Sequence, residues 1–292
     1  MKISLIKNIA LIIAFFLFSV SCSKKEVNPL SGPEYFLNYH FDEVNSDSLF
    51  SFKEANSKDF LLLLNKGYDK LQIIKLLKIS SIQYDDLINS LFGDGLIKKI
   101  DTKIFIPSFP IIDSNEIKEI RKLSEPIGED IALIIIDRLK ILEGEMAKFP
   151  SYSPINYNLR SFLFSEVLLN RWQIKNIKEN FIKSRAPERE GRHLYISLIE
   201  GDSSICKNPF ELFINKDLIQ DGNVYHNIAD VIKNDLSNYL NIKRGLFLES
   251  YLKSNLKKTT SFKEYNFWIY QFIVKGAIQS LIKHGIIIPP KA

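Results

Sequence analysis

The chain has 292 residues, 46% of them hydrophobic and 12% aromatic, so there is ample apolar material for a packed core and general disorder is excluded. Its formal charge of +5 is near neutral for this length. The length suits two domains or one large one.

At the N-terminus, Lys2 and Lys7 form a short basic region, Ile9 to Val20 form an apolar run, and Ser19-Val20-Ser21 leads into Cys22. The run falls short of the roughly 20 residues that a membrane-spanning helix needs, so the layout predicts a cleaved export signal. At Cys22 the stretch resembles a bacterial lipoprotein signal, although Ser19 stands where that pattern usually has Leu, Val or Ile. The resemblance implies that Cys22 is diacylated and becomes the new N-terminus. Two acyl chains would anchor the protein durably to a membrane of the cell envelope, facing the periplasm or the surface. The alternative is an ordinary secretory signal that leaves Cys22 as a spare thiol.

A mature chain beginning at Cys22 loses Lys2 and Lys7, and its formal charge falls from +5 to +3. With Cys22 lipidated only Cys206 remains, so no internal disulfide can form and burial alone must hold the fold. Cys206 itself reads as a buried, inert thiol.

The organisation expected is a signal peptide over 1–21, a lipid-anchored tether over 22–51, a winged-helix-like domain over 52–110, connecting helices over 111–150 and an α+β domain over 151–292. Pro29, Gly32 and Pro33 mark the tether, which then packs through Tyr35, Phe36, Tyr39 and Phe41. Phe52–Leu64 predicts a helix stopped by Lys66-Gly67. Asp69–Lys78 predicts a second, with Leu71, Ile74, Leu77 and Ile73 inward. Ser80 and Gln83 form a capping box for a third, which carries Ile82, Leu87, Leu91 and Phe92 and stops near Gly93 or Gly95. Leu96–Ile100 and Lys103–Ile106 then read as a tight hairpin about Asp101-Thr102.

Three short helices followed by a hairpin, with Asn89-Ser-Leu-Phe-Gly-Asp-Gly-Leu-Ile-Lys-Lys-Ile-Asp leading into it, resemble a winged helix-turn-helix domain. In that family the third helix usually enters the DNA major groove. Here its solvent face would carry Gln83, Asp85, Asp86, Asn89 and Ser90, two carboxylates and no cation where phosphates would approach. Lys98, Lys99 and Lys103 on the wing read as a solvated face. No nucleic acid is expected as a partner, and the domain reads as a packing or protein-binding module.

Asp113 or Ser114 caps a helix that Ser124-Glu125-Pro126 should end, opening another with Ile127, Ile131, Ile134, Ile135, Leu139, Leu142 and Met146 on one stripe. Phe149–Pro154 marks the domain boundary. Beyond it, Leu159–Lys183 predicts one long helix, Leu194–Ile199 and Phe210–Ile214 a β-hairpin, and Asn223–Tyr239, Arg244–Leu256 and Ser261–Lys283 three further helices. The last, apolar nearly all round, should lie at the centre of its domain. The fold class is therefore mainly α with small β elements.

The densest polar cluster runs from Ser184 to Tyr195. Guanidinium forks suit capture of carboxylates, phosphates or sugar acids, so Arg185, Arg189, Arg192, His193 and Tyr195 are the candidate ligand- or partner-binding residues. The competing reading is that these charges pair with one another. His40, His193, His226 and His284 are scattered, and neither metal spacing, nor a phosphate loop, nor a nucleophile elbow is present. No metal and no cofactor is expected. The leading expectation is a lipid-anchored, non-catalytic envelope module that binds an envelope protein or an anionic glycan. The second is an envelope hydrolase acting on polysaccharide or peptide, because a fold-assembled carboxylate pair leaves no sequence spacing. Glu166, Arg185, Arg192, His193 and His226 lining one concave pocket would be its sign. A nucleic-acid-binding regulator follows only if the leader is misread.

Overall fold

The computed structural model describes residues 30–41, 52–148, 157–201 and 222–288. The expected signal peptide, Cys22, most of the tether, the boundary at 149–154, Cys206 and the Phe210–Ile214 strand lie outside the described residues. The chain divides after Pro33, and the helices and strands of the described residues all belong to the unit Glu34–Ala292.

In chain order the elements are β1 (Tyr35–Phe41), α1 (Ser57–Asn65), α2 (Lys70–Leu77), α3 (Ser81–Gly93), β2 (Ile97–Asp101), β3 (Ile104–Pro107), β4 (Ile111–Ile112), α4 (Ser114–Asp137), α5 (Leu139–Met146), α6 (Tyr157–Phe162), α7 (Gln173–Ile177), β5 (Glu188–Arg189), β6 (Arg192–Glu200), α8 (Gly222–Asp230), α9 (Lys233–Ile242), α10 (Arg244–Lys253) and α11 (Phe262–Lys283). The fold is mainly α with small β elements, as expected.

Helices α1 to α3 and the β2–β3 hairpin follow the order that the winged-helix resemblance implies. The Ser80–Gln83 capping box forms as predicted, and Asp69 with Gln72 makes a second one at α2. Each satisfies two otherwise orphaned backbone donors, an effect of roughly 1 kcal/mol. Asp101 Oδ1 accepts from Thr102 N and closes the wing. The inward face of α2 differs from expectation: only Ile73 is buried, and Leu71 is 78% exposed. Eight residues of helix lying on the edge of the bundle bury one contact row, not the wide stripe the spacing suggested.

Tyr35–Phe41, expected within the tether, forms a strand. β1 runs antiparallel to β6 over its whole length, β4 pairs parallel with Leu198 and Ile199, and β5 pairs with Arg192 and His193. β6 is thus the central strand of its sheet, where a simple hairpin with Phe210–Ile214 was expected. Leu194 to Ile199 are all buried, so both faces of the strand are covered. Tyr195 and Ile199 belong to the main helical core, while Leu194, Ile196 and Leu198 point the other way.

That core is built on α4 and α11. The predicted break at Pro126 is absent, and α4 is one helix of 24 residues with the proline inside it. Pro126 cannot donate to the Lys122 carbonyl, but both residues are exposed, so water can take that acceptor while the opposite face stays packed. On that face Gly128 meets α11 backbone to backbone: a Cβ there would lie 2.7 Å from Ala277 N and 2.8 Å from Ile273 O. As expected, α11 is buried nearly all round, and Ser261 caps it through Glu264 N.

The predicted helix Leu159–Lys183 is broken into α6, a π-helical turn at Leu163–Val167, α7 and a second π-helical turn at Lys178–Ile182. Asn223–Tyr239 likewise divides into α8 and α9 around Val231 and Ile232. No helix among the described residues is long and apolar enough to cross a membrane.

Candidate functional site

The polar cluster at Ser184–Tyr195 folds into a tight β-hairpin. Glu190 and Gly191 join β5 to β6 with φ of 51° and 70°, the left-handed pair of a type I′ turn, whose twist matches that of the strands. Gly191 reaches this conformation without strain, and Glu190 is held there by its neighbours. Its backbone N–H donates to Asp94 O at 2.9 Å, and Arg192 Nη2 donates to its carboxylate at 3.4 Å. Lys53 bridges the same corner, 2.8 Å from Asp94 and 4.0 Å from Glu190. At the adjoining turn Gly95 has φ 69°, and a Cβ there would sit 3.1 Å from Glu188 O, so the end of α3 abuts the hairpin closely.

The five residues singled out in this cluster have different fates. Arg189 is 2% exposed, the most enclosed of them with Tyr195. Its Nη1 donates to Leu194 O at 2.9 Å and its Nη2 to Ser108 O at 2.7 Å, and both nitrogens meet the Glu264 carboxylate at 2.9 and 3.1 Å. Thr260 Oγ1 also donates to Glu264, at 2.8 Å. One guanidinium therefore ties β6, the β3–β4 connection and the first turn of α11 together. Tyr195 is buried and stacks on Phe267 at 3.8 Å with the rings nearly parallel. His193 is half-buried, its Nδ1 2.8 Å from Ala186 O, which holds the ring against the chain entering the hairpin. Arg192 is half-buried and Arg185 exposed. The cluster thus separates into an inner pair that builds the hairpin and an outer set, Arg185, Arg192 and His193, that its surface presents.

The residues named for a hydrolase differ in exposure. Glu166 is buried in the π-helical turn, within 3.3 Å of the Asn170 amide, and His226 lies on the exposed side of α8. Arg171 is exposed and stacks over Trp172 at 5.3 Å. A groove of about 250 Å³ runs between α4 and α11, lined by Arg121, Ser124, Glu125, Phe272, Lys275 and Gln279, none of them a residue of the hairpin cluster or of the expected hydrolase set. Among the described residues no three His, Cys, Asp or Glu side chains gather as metal ligands.

On α3, Gln83, Asp85, Asp86 and Asn89 are exposed, and Asp85 binds Lys70 at 2.6 Å. On the β2–β3 hairpin, Lys98 Nζ donates to Thr259 O at 3.2 Å, and burial lowers its pKa below the ordinary lysine value despite the nearby Glu264.

A polar junction missed by inspection of the sequence lies at Glu200. Ser114 N and Oγ donate to its carboxylate at 2.8 and 2.7 Å, and Tyr35 Oη donates at 3.2 Å. The end of β6 therefore caps the start of α4 with a carboxylate, the charge that a helix N-terminus favours. Burial disfavours ionisation of Glu200, yet these hydrogen bonds outweigh it and hold the pKa below the usual carboxylate value. The one available signal was the acidic residue at the end of a strand. No protein-family model, no curated protein and no solved structure matches this chain.

Proposed function

We propose that the chain is a lipid-anchored protein of the bacterial cell envelope, a non-catalytic binding module that meets its partner through the outer side of the β5–β6 hairpin. The leader ending at Cys22 supports the address. The buried Arg189 carries the rest of the reading. It ties the hairpin to Leu194 O, Ser108 O and Glu264 at once, so Arg192 and His193 stand on a rigid support, with Arg185 exposed in the segment before it. Guanidinium groups held in this way suit an acidic protein surface or an anionic glycan.

Capture of binding partners from envelope extracts tests the reading. Replacing Arg185 and Arg192 by Ser, with Arg189 kept because the fold depends on it, should remove the captured species. An unchanged captured set would overturn the assignment of this surface.

A hydrolase is the second reading, and the observation in its favour is Glu166, a buried carboxylate in a π-helical turn, a feature frequent at functional sites. Hydrolysis of envelope polysaccharide or peptide by the purified protein, lost in Glu166→Gln, would replace the binding reading. Nucleic acid fits least well, since α3 offers Asp85 and Asp86 to solvent and one wing lysine is engaged by Thr259.

A further inference from the structure

Helices α4 and α11 meet backbone to backbone at Gly128, and beside that contact they leave a cleft of about 250 Å³. Arg121, Ser124 and Glu125 form its α4 wall, and Phe272, Lys275, Gly276 and Gln279 its α11 wall. A Cβ on Gly276 would lie 3.5 Å from Glu125 Cα and from Ser124 O, so the walls approach closely there, and Gly276 adds no side chain to the space. The volume lies just under the roughly 300 to 1,000 Å³ of sites for drug-sized ligands, which suits a smaller solute.

Three polar side chains of this lining make no hydrogen bond or ion pair among the described residues. Ser124 is 1% exposed, and its hydroxyl is buried without a partner. A serine inside a helix ordinarily donates to the carbonyl four residues back or turns to solvent, and Ser124 does neither. A buried hydroxyl in this state is destabilising, and a rotation about χ1 is enough to point it at a bound group. Arg121 and Glu125 are exposed and stand one turn apart, a spacing at which opposite charges can pair, yet they do not. Lys275 is half-buried on the opposite wall and adds a second positive charge, Gln279 brings an amide, and Phe272 is the apolar side chain of the lining.

This arrangement fits a solute that carries both signs of charge. A phosphate or a dicarboxylate would face Glu125, and a simple cation would face Arg121 and Lys275, whereas a zwitterion can set each end against its opposite. Side chains one helical turn apart have Cβ atoms about 5 to 6 Å apart, comparable with the roughly 7 Å that two extended residues span. We infer that the α4–α11 cleft binds a small zwitterion of the dipeptide class, its carboxylate held by Arg121, its ammonium by Glu125, and the Ser124 hydroxyl turned to the peptide group between them. The cleft shares no residue with the β5–β6 hairpin, and binding there requires neither acylation of Cys22 nor a partner on the hairpin.

The test is a titration followed by amide NMR on the chain from Ser23 to Ala292, which retains the whole compact unit Glu34–Ala292. Alanyl-alanine should shift the amide signals of 121–128 and 272–279 saturably, with a Kd on the order of 1 mM. N-acetyl-alanyl-alanine, which lacks the ammonium, and alanyl-alanine amide, which lacks the carboxylate, should each bind about tenfold more weakly. In Arg121→Gln the dipeptide should bind no better than its amide, and in Glu125→Gln no better than its N-acetyl form. Both positions are exposed, so melting temperatures should be unchanged, and Arg185→Ser should leave the titration as it was. Absence of a saturable shift in the millimolar range, shifts confined to other parts of the fold, or equal binding of the blocked forms by the unaltered protein would overturn the site. So would sodium acetate that reproduces the same shifts at the same concentrations, which would make the cleft a simple anion site.

Discussion

Arg189 and Glu264 are 75 residues apart in sequence and meet as a buried ion pair, with Nη1 2.9 Å from Oε1 and Nη2 3.1 Å from Oε2. The pair joins the hairpin that displays the candidate binding residues to the helix at the centre of the core. Removing two charges from water is costly, and the Leu194 and Ser108 carbonyls and the Thr260 hydroxyl supply the additional hydrogen bonds that make the arrangement tolerable.

Breaking the pair from one side should cost about 3 to 5 kcal/mol, because the remaining charge is stranded. Arg189→Met should cost more than Glu264→Gln, since it also leaves two backbone carbonyls without their donor. The double variant Arg189→Met with Glu264→Gln should recover part of the loss. Chemical denaturation of the four proteins measures the coupling, and additive losses would show that the pair is not a unit.

Gly128 and Gly276 make opposite predictions although both lie where α4 crosses α11. A Cβ on Gly128 would meet backbone at 2.7 Å, so Gly128→Ala should destabilise by about 1 to 3 kcal/mol or more. A Cβ on Gly276 would have 3.5 Å to its nearest neighbours, so Gly276→Ala should be neutral or gain up to about 1 kcal/mol from helix propensity. Melting temperatures of the two variants decide it.

Asn266 is fully buried on α11, and neither its amide nitrogen nor its carbonyl oxygen has a hydrogen-bond partner among the described residues. An unpaired buried amide costs about 1 to 3 kcal/mol, so Asn266→Leu, similar in volume, should raise stability by about that amount. A lower melting temperature would assign Asn266 a polar partner.

The depressed pKa of Glu200 gives stability a defined pH dependence. The folded state holds its carboxylate ionised more strongly than the unfolded chain, whose value is about 4.3. Its contribution is therefore complete above that value and disappears as pH falls through the lower, folded value. Melting curves of the wild type and Glu200→Gln should differ most near neutral pH and converge in acid. A difference that is constant with pH would show that ionisation of Glu200 does not stabilise the fold.

Several elements were legible because their signals are local. The Ser80–Gln83 capping box, the Asp101-Thr102 hairpin and the apolar run of the last helix each depend on residues a few positions apart, and each formed as read. The failures have distant causes. Pro126 did not end its helix because α11 supplies the packing, and nothing near Pro126 encodes α11. The partner of Leu194–Ile199 was sought nearby, but β1 comes from the other end of the unit, with Tyr35 opposite Glu200. In the candidate site, the density of arginines was visible, whereas the distinction between Arg189, which builds, and Arg185 and Arg192, which are displayed, required knowing where Glu264 lies.

The membrane address is the claim on which the proposed role depends. Mass spectrometry of the N-terminus of the protein isolated from its native envelope tests it most directly. The proposed role predicts a chain beginning at Cys22 with acyl chains attached, and loss of membrane attachment through the N-terminus in Cys22→Ser. An unprocessed chain beginning at Met1, without lipid and recovered from the cell interior, would contradict it.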